Sequence, residues 1–96
     1  MKHAAISPIV EVLLQARADV EANWCQGFGQ EGQVCALQAL WNTKIGRYEE
    51  AGSFLIKALP QIWAVRGGII TYNDDKTTTK ADILALYDRA IELALA

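Results

Sequence analysis

The chain has 96 residues, of which 52% are hydrophobic and 21% charged, and its formal net charge is −2. This length predicts one domain spanning residues 1–96 with a single modest core, and it is too short for a complete dinucleotide-binding domain, a kinase or a barrel enzyme. The apolar fraction argues against disorder. The slight acidic excess argues against binding to a nucleic-acid backbone, because that requires clustered Lys and Arg.

The beginning of the chain faintly resembles a signal peptide, but Glu11 and Arg17 interrupt its apolar part and no small-residue cleavage site follows. The sequence has no run of about 18 apolar residues, so we expect no membrane-spanning helix and no membrane partner. We therefore expect a cytoplasmic protein in which Cys25 and Cys35 are free thiols. Packing is the favoured role for both cysteines, and a redox or disulfide role is the alternative.

The first two long helices are predicted from their ends and their apolar periodicity. Ser7 can cap a helix whose first position is Pro8, and apolar residues then recur on one face for about four turns. A second long helix is predicted from about Arg47, and Pro60 should break or kink it because proline removes a backbone donor and clashes one turn back.

The rest of the chain predicts one short helix, two short extended pieces and the clearest helix of all. The short helix follows Cys35, a hairpin is expected near residues 24–36, and residues 69–72 are β-branched and aromatic like a small strand. The last helix runs from Thr79 to Ala96 and begins with capping-box spacing to Asp82. The expected fold is mainly α with some α+β character: a compact domain of three long helices and one short helix, with a small β-hairpin or sheet patch.

The segment Gly27–Gly32 matches the pattern G-x-G-x-x-G, in which backbone N–H groups can approach phosphate oxygens. Its surroundings do not fit that chemistry, because no convincing strand precedes it and no βαβ unit surrounds it. A hairpin turn that needs positive φ is therefore the favoured interpretation.

The sequence offers no set of residues for catalysis or metal binding. The single histidine, His3, lies at the terminus, so neither a Ser-His-Asp triad nor a four-ligand Cys/His zinc site can be assembled. The run Asn73-Asp74-Asp75 lacks the alternating acids and the glycine of a calcium loop, so an Asx turn is favoured there. We predict no catalytic residues, no metal, no cofactor and no enzymatic activity.

The surroundings of the three tryptophans predict different roles for them. Trp41 and Trp63 lie in helical apolar patterns, which favours a place in the core. Trp24 adjoins the glycine-rich segment, so it is the best candidate for a half-exposed contact.

Four short motifs spread over most of the chain carry a family resemblance, and they are Trp24-Cys25-Gln26-Gly27, Cys35-Ala36-Leu37-Gln38-Ala39-Leu40, Tyr72-Asn73-Asp74, and Thr79 with Ile83. Together they resemble a family of small uncharacterised proteins from actinobacteria, tailed phages and prophages, with the pattern W-x-Q-G, C-A-x-G-A, W-N-D and T-x-x-E-V. Gln38 stands where that pattern has Gly, and Tyr72 where it has Trp. The resemblance implies a helical fold with a small β element, and it implies no activity.

Three functional hypotheses follow. The first is a non-enzymatic interaction module that binds a protein partner or a small ligand. The resemblance implies an association with phages or prophages, and hence a role in host–phage conflict. The alternative is a nucleotide or small-molecule binder that uses the Gly27–Gly32 loop and the Asn73-Asp74 turn. In the third, the motif residues only hold the fold together. Whether the chain forms a homo-oligomer is left open. The candidate ligand or partner contacts are Trp24, Gln26, Gly27, Phe28, Tyr72, Asn73 and Asp74.

Overall fold

The computed structural model describes residues 7–27 and 32–96, and within them the chain is mainly helical, as predicted. None of the described helices is both long enough and apolar enough to cross a membrane. The helices are α1 (Pro8–Asn23), α2 (Gln38–Trp41), α3 (Tyr48–Ala58), α4 (Gln61–Val65), α5 (Gly68–Asp74) and α6 (Lys80–Leu95).

The body of the domain is formed by the three long helices, with α6 packed against both α1 and α3. The buried positions of α6 follow helical spacing, which places an apolar stripe on the core. That stripe consists of Ile83, Leu86, Tyr87 and Ala90. Leu13 of α1 and Leu55 of α3 are likewise fully buried, so one core joins the three helices.

The predicted starts of α1 and α6 are confirmed. The Ser7 hydroxyl oxygen accepts a 3.2 Å hydrogen bond from the Val10 amide, and Pro8 is the first residue of α1. At α6, the Asp82 amide donates to the Thr79 hydroxyl at 3.2 Å, and the Thr79 amide donates to the Asp82 carboxylate at 2.9 Å. These side chains satisfy backbone N–H groups that have no partner inside the helix.

Pro60 breaks the second predicted long helix, as expected. The helix α3 ends at Ala58, Leu59 is extended, and the chain resumes helical geometry only at Gln61, directly after Pro60. The sequence predicts one short helix, whereas the structure contains two more, because α4 follows the break at Pro60 and α5 replaces the predicted strand.

The predicted β-hairpin is wrong for the described residues, which contain no strand. They contain one isolated bridge between Trp24 and Val34, and it is parallel, whereas the two arms of a hairpin must be antiparallel. The bridge consists of a 2.9 Å bond from the Cys25 amide to the Val34 carbonyl and a 2.9 Å bond from the Val34 amide to the Asn23 carbonyl. Residues 28–31, inside the Gly27–Gly32 segment where the hairpin turn was expected, lie outside the described residues.

The predicted strand at residues 69–72 is also wrong, because these residues belong to α5. Ile69, Tyr72 and Asn73 are buried, whereas Ile70 and Thr71 are exposed. That spacing of three and four is helical, and a strand would bury alternate residues. Packing on the core therefore overrides the β propensity of this short run.

The expectation for Trp41 is wrong as well, since 57% of this residue is exposed. It ends α2, a single turn of four residues that buries only Ala39 and Leu40. Trp63 is half-buried and packs against the core, with its ring centroid 5.6 Å from that of Tyr72.

Candidate functional site

The candidate site centres on Asn73, whose side chain is fully buried. Its Oδ1 accepts hydrogen bonds from the Trp24 indole nitrogen at 2.6 Å and from the Ala36 amide at 2.9 Å. Its Nδ2 donates to the Cys25 carbonyl at 3.2 Å and to the Asp74 carboxylate at 2.9 Å. An asparagine amide has two donor hydrogens and two acceptor lone pairs, so the hydrogen-bonding capacity of Asn73 is fully used.

Gln26 caps the end of α5. Its Nε2 lies 3.1 Å from the carbonyl oxygen of Asn73, 2.6 Å from that of Asp75 and 3.2 Å from that of Thr78. The last carbonyl groups of a helix have no partner within it. The Gln26 amide therefore supplies donors where α5 ends and the loop to α6 begins.

Gly27 completes the connection through its backbone. Its amide donates a 2.7 Å hydrogen bond to Oδ1 of Asp74, the same oxygen that accepts from Asn73. Gly27 has a φ of +66°, in the left-handed region that glycine enters at little cost. Gly32 has a φ of +88°, so the positive φ expected of this glycine-rich segment is confirmed at both of its described glycines.

We call this network the Asn73 clasp, and it consists of Trp24, Gln26, Gly27, Ala36, Asn73 and Asp74. It joins the segment after α1 to the end of α5, between positions up to 49 residues apart in the sequence. Tyr72 lies beside it but is buried against Trp63, and burial raises its pKa. Phe28 lies outside the described residues.

The structure thus brings five of the predicted contact residues into one network, and Tyr72 supports it from the core. That these residues touch a ligand or partner stays a prediction. Two members of the surrounding network were missed. The amide of Ala36 donates to Asn73, and its carbonyl accepts a 2.6 Å hydrogen bond from the buried Tyr87 hydroxyl. No sequence pattern identifies a particular backbone group as a partner, although the helical spacing of Ile69, Tyr72 and Asn73 would have indicated that Asn73 is buried.

The predicted Asx turn forms at Asp75 and not at Asn73. The Asp75 carboxylate accepts from the Thr77 amide at 3.0 Å and also from the Thr77 hydroxyl. These hydrogen bonds favour the charged form and hold the pKa of Asp75 below its usual range. Asn73 cannot serve in such a turn, because it is helical and its side chain faces the interior.

Cys25 and Cys35 are both half-buried free thiols, which fits the favoured packing role only in part. Burial raises the pKa of Cys25, and the Sγ of Cys35 accepts a 3.4 Å hydrogen bond from the Gln38 amide. In the described part of the chain, no three His, Cys, Asp or Glu residues come together as a metal site would require. Every buried side-chain nitrogen and oxygen described has a hydrogen-bond partner.

These features define a small helical domain that is cross-braced through one buried asparagine. The chain belongs to a family of unknown function, DUF6197, whose sequence model matches residues 6–93. Neither the curated proteins nor the solved structures gave a match. The resemblance found in the sequence is thereby confirmed at the level of the family. Gln38 is exposed and does not have a positive φ.

Proposed function

We propose that this protein is a non-enzymatic interaction module of the cytoplasm and that it binds a protein partner through α4. One observation carries the proposal. Helix α4 has no buried residue, and 53% of Ile62 and 82% of Val65 are exposed. These two aliphatic residues are three positions apart, so they share one face of the helix.

Exposed apolar residues are common when they occur singly. The helix α4 differs because it packs only its half-buried Trp63 on the core while two large aliphatic residues remain exposed. Fully burying an exposed side chain of this kind stabilises by about 1.5–3 kcal/mol, and a partner that covers the exposed parts of Ile62 and Val65 would gain a share of that energy.

The Asn73 clasp supports this proposal by positioning α4. The clasp fixes the end of α5 through Asn73, and Tyr72 in α5 contacts Trp63 in α4. At its N-terminal end, α4 directly follows Pro60. In this proposal the motif residues have a structural role, because they hold α5 in place and thereby orient α4 for its partner.

The phage and prophage setting implied by the family resemblance favours a bacterial host protein as the partner. The nucleotide alternative has less support, because the acceptor and donor groups of Asn73 and the Oδ1 of Asp74 already bind within the protein. A thermal-shift screen of nucleotides tests it directly, since a ligand at 100 times its Kd adds about 2.7 kcal/mol of stability.

Site-specific photo-crosslinking in the host cell tests the proposal. The photoreactive residue p-benzoylphenylalanine replaces Val65, and replaces the exposed Gln15 on α1 as the matched control. We expect a discrete protein adduct from position 65 that is absent from position 15 and is lost when Ile62→Lys is added.

Light scattering of the purified chain then shows whether the partner is a second copy. An unchanged melting temperature of the Ile62→Lys variant shows that the fold is intact. Equal adducts from both positions, or none from position 65, would overturn the proposal.

A further inference from the structure

A groove with a volume of about 470 Å³ lies between the end of α3 and the second half of α6. Its size falls within the roughly 300–1,000 Å³ of sites that hold small molecules. It does not include α4 or the Asn73 clasp, and its lining residues are Lys57, Ala58, Arg89, Glu92 and Leu93.

Arg89 is held in place by one hydrogen bond. Its Nε donates at 3.1 Å to the carbonyl oxygen of Ala58, the last residue of α3. In the described chain, its two terminal nitrogens have no hydrogen-bond partner. A guanidinium that is oriented in this way presents a fork that matches the two oxygens of a carboxylate.

Lys57 is the second cation of the groove, and its Nζ lies 5.2 Å from the centre of the Phe54 ring. No described carboxylate lies within ion-pair distance of Lys57 or Arg89. Among the described cations, Arg17 and Arg47 form direct ion pairs, and Arg17 lies 2.6 Å from Asp88. Glu92 shares the groove without pairing, so the lining carries two positive charges against one negative charge.

We propose that this groove binds a carboxylate carried on a short apolar stem. Arg89 and Lys57 bind the carboxylate, and Ala58 with the partly exposed Leu93 contacts the stem. This site is additional to the α4 contact and does not depend on it. The same chemistry is found in a free organic acid and in a glutamate side chain flanked by apolar residues.

Titration of the full chain with hexanoate, followed by proton–nitrogen correlation NMR, tests the site. We expect saturable shifts of the Leu93 amide and the Arg89 Nε resonances. Acetate, which lacks the stem, and hexanol, which lacks the charge, should bind much more weakly. A second titration uses the peptide acetyl-Leu-Glu-Leu-amide. Tighter binding of hexanoate indicates a free organic acid as the natural ligand, and tighter binding of the peptide indicates a glutamate side chain.

The decisive variant is Lys57→Gln, because Lys57 makes no contact that holds a helix end. We expect it to weaken hexanoate about five- to tenfold, as the loss of one charge-assisted contact should, while Lys76→Gln has no effect. Arg89→Lys keeps the charge but removes the fork, and it should weaken binding as well. Non-saturating shifts, or equal affinity in the Lys57→Gln variant and the unaltered chain, would overturn the proposal.

Discussion

The indole nitrogen of Trp24 donates a 2.6 Å hydrogen bond to the side-chain oxygen of Asn73, 49 residues further along the chain. The same oxygen accepts from the Ala36 amide, so three separate segments meet at one buried atom. Such a bond is strong where water is excluded, and leaving any of its partners unpaired is costly. The stability of the domain should therefore depend on this contact more than on its surface ion pairs.

Replacing Asn73 with Ala should cost the most stability of any clasp substitution. It leaves the Ala36 amide, the Trp24 indole and the Cys25 carbonyl without their partner. We expect the free energy of unfolding to fall by about 2–4 kcal/mol, measured by urea denaturation. The matched control is Asn42→Ala at an exposed position, which should stay within about 0.5 kcal/mol. Equal stability of the two variants would contradict a central role for Asn73.

The side-chain amide of Gln26 lies within hydrogen-bond distance of three carbonyl oxygens. The loss of stability on replacing Gln26 should therefore depend on whether the new side chain can donate a hydrogen bond. Gln26→Ala should cost about 1 kcal/mol through the lost hydrogen bonds. Gln26→Glu should cost more at neutral pH, because a carboxylate cannot donate and meets the negative end of α5.

The pH dependence separates these two variants. The fold favours the neutral form of the introduced carboxyl and so raises its pKa above the unfolded value of about 4.3. The extra cost of Gln26→Glu should thus vanish below about pH 4 and grow as the pH rises above it. Denaturation curves at pH 3.5 and pH 7 measure this difference, and a cost that is equal at both values would show that Gln26 is not a donor.

Tyr87→Phe should remove about 1–2 kcal/mol at pH 7, because the Ala36 carbonyl loses its buried donor. Tyr48→Phe is the control, since Tyr48 is half-buried and its hydroxyl has no described partner. A cost for Tyr87→Phe no greater than that of the control would count against the bond.

The same variant reports on the ionisation of Tyr87, whose pKa burial raises above its usual value. The unfolded chain releases this proton from about pH 10, whereas the folded chain retains it. The parent protein therefore loses up to about 1.4 kcal/mol per pH unit above pH 10, a loss that the phenylalanine variant does not share. The stability gap between the two proteins should narrow between pH 9 and pH 11, and a constant gap would contradict the shifted pKa.

The cysteines should react slowly in the native protein. Burial raises the pKa of Cys25 and thus reduces its reactive thiolate at neutral pH. With Ellman's reagent at pH 7, we expect labelling roughly tenfold or more slower than in the unfolded chain. The single variants Cys25→Ser and Cys35→Ser assign the rate to each thiol. Rapid labelling of both in the native protein would overturn the packing role.

Local signals correctly predicted the starts of α1 and α6 and the break after α3. The cap at Ser7, the break at Pro60 and the capping box at Thr79 each depend on bonds within a few residues, so they can be read directly from the chain. The helix α6 itself was predictable for a similar reason, because sixteen residues give a long periodic pattern. The family could also be recognised from short motifs.

The failures fall where a segment is short. Residues 69–72 have the composition of a strand but also fit the spacing of a helix. Packing against the core favours the helix, so these residues form part of α5. Trp41 is exposed for a related reason, since one helical turn cannot bury every apolar residue that it carries.

The amino-acid sequence determined the starts of α1 and α6 and the break at Pro60, because each depends on residues that are neighbours in the chain. Only the tertiary structure decided that Trp24, Gln26 and Asn73 bind one another. Periodicity shows which face of an element turns inward, but the partner of a buried polar group depends on which distant backbone atoms packing brings within about 3 Å of it.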